Sequence, residues 1–193
     1  RIAPPNFKPS IPAFDLNTTE GQITALRSPA IHTRYLGFRA LKAQGAVAYP
    51  NVSELLKDEN PWIAARAVWL LPYLGDEGLQ GYVSLLRHEH SWQRVVAYRA
   101  LRRSGHDMVP HARQMCTDPS PQVRREVALS LRDIPTDRTT NIFVELARRC
   151  DTSDKNSLEA IGLGAAKQES VVWKAIKEGL KPGKPSEWPD RFA

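Results

Sequence analysis

Basic and aromatic residues recur at intervals of thirty along the chain. One column reads Tyr35, Ala65, Val95, Arg125, Lys155; the next reads Arg39, Trp69, Arg99, Leu129, Glu159; a third reads Lys42, Pro72, Arg102, Arg132. Guanidinium groups interleaved with aromatic rings suit anion recognition, because the cations attract charge while the rings supply apolar contact. A phosphate backbone, an acidic protein surface and a polyanionic glycan all fit that chemistry. A solvated helix face carries arginine as well. The candidate binding set is Tyr35, Arg39, Trp69, Arg99, Arg102, Arg125 and Arg132.

Other reactive residue types make poorer constellations. His88-Glu89-His90 is an alternating pair and His106 and His111 fall at the next hairpin turn. Zinc needs further ligands that do not stand nearby, so exposed loop histidines are expected. Cys116 falls in a leucine column and Cys150 at a turn about one repeat further on, so no bridge between them is expected. There is no Cys-x-x-Cys-His for a c-type haem, no glycine-rich phosphate loop, no nucleophile elbow and no helix-borne zinc motif. Ser91, Ser104 and Ser130 sit at caps or in small-residue core columns. Asp58-Glu59 and Asp76-Glu77 stand where helices begin or end and carboxylates cap backbone donors. No catalytic residue, no metal and no cofactor are expected within the chain. Trp62 and Trp92, one repeat apart at the starts of second helices, read as packing between repeats.

The repeat itself must position these columns. Leu26, Leu56, Leu86, Cys116 and Leu146 form one apolar column; Leu41, Leu71, Leu101, Leu131 and Ile161 form another; Gly37, Ala67, Ala97 and Val127 form a third. A period between about 20 and 50 residues marks units that bury their apolar side only by stacking on neighbours. Within a unit the spacing is helical, as in Ile63, Ala67, Leu70, Leu71 and Leu74. Ser28-Pro29, Asn60-Pro61, His90-Ser91 and Asp118-Pro119-Ser120-Pro121 separate the two helices of a unit, most of them joining a capping residue to a first-turn proline. Gly45, Gly75 and Gly105 close the second helix, where a left-handed residue is cheapest for glycine.

The spacing predicts helix pairs at 18–27 with 31–44, 49–57 with 61–74, 78–87 with 91–104, 108–117 with 121–133 and 137–149 with 153–165, then a last helix at 168–179. The expected fold class is all-α: a right-handed α-solenoid of about five helical hairpins plus a C-terminal capping helix. It would fill residues 18–179. Stretches 1–17 and 180–193, with Pro4-Pro5, Pro9, Pro12, Pro182, Pro185 and Pro189, read as extended linkers.

The run Asp118-Pro119-Ser120-Pro121-Gln122-Val123-Arg124-Arg125-Glu126-Val127-Ala128-Leu129 resembles HEAT repeats, with the Val-Arg pair and the Asp six residues before the Arg. The resemblance covers about residues 18–165. It implies an Arg column (Arg34, Ala64, Arg94, Arg124, Asp154) and an Asp column (Ser28, Asp58, His88, Asp118, Arg148) forming a ladder between neighbouring units, with two members missing from the first and three from the second. It also implies that second helices line a concave side, which would carry the basic set.

A narrower resemblance rests on Phe14-Asp15-Leu16-Asn17-Thr18-Thr19-Glu20-Gly21-Gln22-Ile23, Leu26-Arg27-Ser28-Pro29, Thr33-Arg34-Tyr35-Leu36, Cys150-Asp151-Thr152-Ser153-Asp154-Lys155 and Trp188-Pro189-Asp190-Arg191-Phe192-Ala193. These are similar to the helical section of bacterial membrane-bound dehydrogenase-like proteins, in which a sorbosone-dehydrogenase-like propeller precedes a HEAT array and a c-type haem domain follows. Asn156-Ser157 stand where that pattern has an aromatic pair. The resemblance implies a non-catalytic spacer inside an exported protein, hence a periplasmic or extracellular location. Its partner would be another protein or the neighbouring domains of the same polypeptide.

The net charge of +6, from 27 Lys and Arg against 21 Asp and Glu, permits anion binding without demanding it. No apolar run reaches the roughly 18 residues of a membrane span and no signal peptide is visible, so no membrane insertion is expected. A chain opening on Arg1 and closing on Phe192-Ala193 reads as a piece of a longer protein. Nucleic-acid binding through the basic groove, of the HEAT-like DNA-glycosylase type, is the alternative, although the inner columns offer no aspartate beside Trp69. A lyase resembling the bilin lyases is the third reading.

Overall fold

Each predicted hairpin is present as a helix pair at its predicted place. The computed structural model describes residues 13–151 and 153–180, and every regular element among the described residues is helical. Residues 1–12 and 181–193, which include most of the expected linkers and the Trp188-Pro189-Asp190 motif, lie outside the described residues. The helices are α1 Thr19–Arg27, α2 Ile31–Gln44, α3 Tyr49–Glu54, α4 Pro61–Leu70, α5 Gly75–Leu85, α6 Ser91–Ser104, α7 Val109–Met115, α8 Pro121–Ser130, α9 Thr136–Arg148, α10 Lys155–Gly164 and α11 Glu169–Leu180. Two of them change pitch near their ends. Leu55–Lys57 and Leu71–Tyr73 are 3-10 turns where the spacing predicts continuous α-helix. In the second case Pro72 explains it: the ring lacks a donor and crowds the carbonyl four residues back, so the α-helix stops before it.

Local chemistry sets the helix starts as anticipated. The Thr18 side chain accepts from the Gly21 amide at 3.1 Å, the Asn60 side chain from the Trp62 amide at 3.0 Å, and Asp154 from the Asn156 amide at 3.1 Å. At the other end of α6, Gly105 takes φ 84° and ψ 11°, the left-handed cap expected of it. Of the stretch 1–17, the part described is tied to α1: Asp15 accepts from the Thr18 amide at 3.2 Å, and Gln22 donates to the Leu16 carbonyl at 2.8 Å.

The chain divides into two compact units, with the boundary between Leu79 and Gln80 inside α5. In the first unit α1 packs on α2, and Leu26, Leu41, Val52, Ile63, Leu70 and Leu74 share one core cluster. Gly37 is required there: a Cβ on it would lie 2.5 Å from the Leu26 amide nitrogen and 2.6 Å from the Gln22 carbonyl. In the second unit two rows of helices stack, α6 on α8 on α10 and α7 on α9 on α11. A Cβ on Gly164 would lie 2.2 Å from the Ala128 carbonyl, so α10 approaches α8 backbone to backbone. A hairpin stacked in two rows on its neighbours is the expected repeat architecture.

The central leucine column is buried throughout. Leu41, Leu71, Leu101 and Leu131 are 0%, 0%, 1% and 0% exposed, and Gly37, Ala67, Ala97 and Val127 are buried as well. Leu56 and Ile161 are half-buried members of their columns. The expected facing of Pro72 is corrected: it lies in the column read as pointing away from the core, yet it is buried, on the 3-10 turn that replaces α-helix there. Replacing Leu101 with Ala removes a fully enclosed side chain from the stack of the second unit. We expect a loss of about 2–5 kcal/mol in urea unfolding; an unchanged midpoint would take Leu101 out of the core.

Candidate functional site

The second helices are positioned by a side-chain device that repeats with the register. Ser28 Oγ accepts from the Ala30 amide at 3.2 Å, Asp58 Oδ1 from Asn60 at 2.9 Å, His88 Nδ1 from His90 at 3.1 Å and Asp118 Oδ1 from Ser120 at 2.8 Å. Three residue types thus perform one task, closing the turn that launches the second helix. His88 fills the aspartate role with a ring nitrogen, which leaves that nitrogen engaged by backbone.

Arginine fastens the same turns from the other side. Arg34 Nη1 donates to the Pro29 carbonyl at 3.1 Å, Arg94 Nη1 to those of His88 and Glu89 at 2.7 and 2.9 Å, and Arg124 Nη1 to those of Asp118 and Pro119 at 2.7 and 3.0 Å. Arg94 then reaches onward with its remaining fork, Nε and Nη2 each 2.8 Å from an oxygen of Asp118. The two side chains are only 10% and 9% exposed, so this is an enclosed bidentate pair joining successive hairpins. Arg124 continues the line to the Arg149 carbonyl at 3.2 Å. In the first unit, where Ala64 interrupts the column, Arg66 donates to the Leu26 and Ser28 carbonyls at 2.8 and 3.2 Å, and Arg27 meets Asp58 at 2.6 Å. The ladder is partial, and different residues complete it.

The seven candidate residues divide between the units. Tyr35, Arg39 and Trp69 belong to the first; Arg99, Arg102, Arg125 and Arg132 belong to the second. Tyr35 and Arg39 are exposed and Trp69 is half-buried. The Arg39 guanidinium lies 5.8 Å from the centroid of the Tyr35 ring, and Lys42 Nζ lies 3.7 Å from that of Tyr73. In the second unit Arg99 is tied to Glu126 of α8, and Arg125 lies 3.8 Å from Asp154 at the start of α10. Arg102 and Arg132 are exposed and hold no ion pair among the described residues. Half of the second unit's basic set therefore serves as helix-to-helix ties.

Two further expectations meet a different outcome. Trp62 is 73% exposed and Trp92 41% exposed, so neither acts as buried packing between repeats; both ride the first turn of a second helix, where the side chain projects outward. The cleft lined by Arg124, Arg125, Cys150 and Ser157 has a volume of about 10 Å³, room for one water and no substrate. Cys116 and Cys150 are free thiols, and burial pushes both above their ordinary range. Ser130 is enclosed, shared between the Tyr98 hydroxyl at 2.8 Å and the Val127 carbonyl at 2.7 Å, which makes it a core hydrogen-bonder. The Tyr82 hydroxyl is buried without a partner among the described residues, and its ring meets His111 edge-on at 6.0 Å. Burial holds the His111 imidazole below its ordinary value.

Glu126, Asp154, Arg66 and Tyr73 are the functional neighbours that column reading missed. Their partners lie 27, 40 and other distances along the chain that are not multiples of thirty. The signal available was the alternation of Arg and Glu on adjacent second helices.

Residues 79–162 match the HEAT repeats family, a stretch that falls almost wholly in the second unit. No curated protein matches the chain. That stretch is thus similar to HEAT repeats, and arrays of this kind in general act as scaffolds for protein interaction. Among the described residues no helix is long and apolar enough to cross a membrane.

The two classes of arginine should separate in stability measurements. Arg94→Ala strands an enclosed carboxylate and should cost about 3–5 kcal/mol. Arg99→Ala removes a guanidinium that is 53% exposed, although its Glu126 partner is only 12% exposed, and should cost less than Arg94→Ala. Equal losses by thermal unfolding would contradict the division into ladder and surface residues.

Proposed function

We propose that this chain is a non-catalytic scaffold whose HEAT-type second helices hold a protein partner or a neighbouring domain of the same polypeptide. The observation that carries this reading is the pairing of Arg99 with Glu126 and of Arg125 with Asp154. A face built for a phosphate backbone keeps its cations free, because affinity comes from releasing counterions at about six to ten phosphates. Here carboxylates from the next helices already occupy two of the four, and exposed Trp92 supplies apolar surface of the kind protein interfaces favour. Nucleic-acid binding is the weaker reading on the same ground.

On the resemblance at Phe14–Ile23 and Cys150–Lys155, we place the chain as the helical section of a larger dehydrogenase-like haem protein, exported to the periplasm or beyond. Any oxidoreductase chemistry would then belong to flanking domains. The open reading frame on either side checks this: a propeller upstream and Cys-x-x-Cys-His downstream are expected, and their absence would remove the placement.

A photo-crosslinking residue installed at Arg102 or Arg132, in the cell that makes the protein, should trap polypeptide. The same residue at Arg113, on first helix α7, should not. Adducts of nucleic acid, or equal trapping from both positions, would overturn the scaffold reading.

A further inference from the structure

The first unit carries a surface whose charge is uncompensated by its own helices. Helix α2 holds Arg34, Arg39 and Lys42 with no acidic residue, and Pro61–Tyr73, covering α4 and its 3-10 extension, holds Arg66 with none. Arg34 and Arg66 are spent on backbone carbonyls of the Pro29 turn and the end of α1. Arg39 and Lys42 are different: both are exposed and neither meets a carboxylate among the described residues. In α8 and α10 of the second unit, by contrast, Glu126 and Glu159 are built into the helix.

The cations stand on an aromatic floor. Tyr35, Phe38, Arg39 and Lys42 have the three-and-four spacing of one helical stripe. Arg39 lies 5.8 Å from the Tyr35 ring centroid and Lys42 3.7 Å from that of Tyr73, while Phe38 packs its edge against Tyr73 at 6.4 Å and 84°. Tyr35 is 59% exposed and Leu36 44% exposed, so the stripe also offers apolar area to a ligand. Charged heads resting on rings are partly ordered before any ligand arrives, which lowers the cost of binding. From Tyr35 to Lys42 the helical rise spans about 10 Å on an open surface, which suits an extended ligand with spaced negative charges rather than a small enclosed acid.

We propose that the stripe Tyr35–Lys42 of α2, with Tyr73 beside it, docks an acidic segment of a partner polypeptide: its carboxylates pair with Arg39 and Lys42, and its apolar side chains lie on Tyr35 and Leu36. This deepens the scaffold reading and rests on it. Two free cations favour a peptide over nucleic acid, whose backbone binding draws on about six to ten phosphate contacts. Carboxylates at intervals along a chain match cations spaced along a helix, and apolar residues between them use the rings.

The test is fluorescence anisotropy of the full chain with a labelled peptide of alternating glutamate and leucine, a glutamine-for-glutamate version, and a labelled oligothymidylate. The glutamate peptide should bind, more weakly as salt rises, and the glutamine version should not. The double variant Arg39→Glu with Lys42→Glu should weaken binding by about tenfold or more, and Tyr35→Ala should weaken it several-fold. Should the double reversal lower helicity by circular dichroism, Arg39→Gln with Lys42→Gln serves in its place. Arg113→Glu, exposed on first helix α7 and outside the candidate set, should leave the affinity unchanged. Undiminished binding in the Arg39 and Lys42 variants, or equal weakening by Arg113→Glu, overturns the proposal. So does oligothymidylate binding more tightly than the peptide and losing that affinity in the same variants, which would give the stripe to nucleic acid. If the peptide fails while crosslinks to protein from Arg102 persist, the acidic-segment proposal falls and the scaffold reading stands.

Discussion

A helical hairpin of about thirty residues cannot enclose its own apolar stripe; only the next hairpin can. That constraint explains why Leu101 and Leu131 are enclosed to 1% and 0% exposure while lying on separate helices of one stack. It also explains the small residues. Gly164 against the Ala128 carbonyl and Gly37 against the Leu26 amide mark the places where neighbouring helices meet through backbone, and any side chain there would hold them apart. Because each layer depends on its neighbours, stability is distributed along the stack and rests on no single residue.

Polar groups in such a stack must be satisfied without breaking the apolar contact, and arginine does this from the turns. Arg94 uses one arm on the carbonyls of its own turn and the other on Asp118 of the next, so one side chain both closes a hairpin and sets its distance to the following one. Arginines nearer the helix ends, Arg102 in the last turn of α6 and Arg132 just past α8, are exposed instead. Net charge alone does not reveal that division. Of the basic residues in the second unit's candidate set, Arg99 and Arg125 sit between these classes, reaching across to acidic residues of the next helix. A surface of that kind spends part of its charge on holding neighbouring helices together.

Much of this was legible beforehand because a thirty-residue period converts one-dimensional spacing directly into stacked columns. Leu41, Leu71, Leu101 and Leu131 read as core and are core; Asn60-Pro61 and Gly105 read as helix punctuation and are that. What was hidden are the pairs that cross between columns. Arg99 meets Glu126 at a separation of 27, because a side chain leans toward the neighbouring helix over a distance set by packing and not by the repeat, whereas Arg94 with Asp118 is the ladder step that the repeat resemblance implies. Pro72 departs from its column because the α-helix stops before it and its ring packs inward on a 3-10 turn. Trp62 and Trp92 differ from the reading because an aromatic ring favours burial on average, whereas both sit before the buried stripe of their helices begins, at Ile63 for Trp62 and, after Gln93, at Arg94 for Trp92. Equivalence in the device that closes the turns was hidden in plain view: Ser28, Asp58, His88 and Asp118 look like a broken column until their shared acceptor role is seen.

Native-state hydrogen exchange on the intact chain addresses the dependence of each layer on its neighbours most directly. The stacked arrangement requires that amides of α6 and α8, which have a helix packed along the row and the buried columns of Leu101 and Val127, exchange slowest in the second unit. Those of α11, at the end of its row, should exchange faster. Protection in α6 and α8 no greater than in α11 would mean that hairpins fold independently, and would contradict the account.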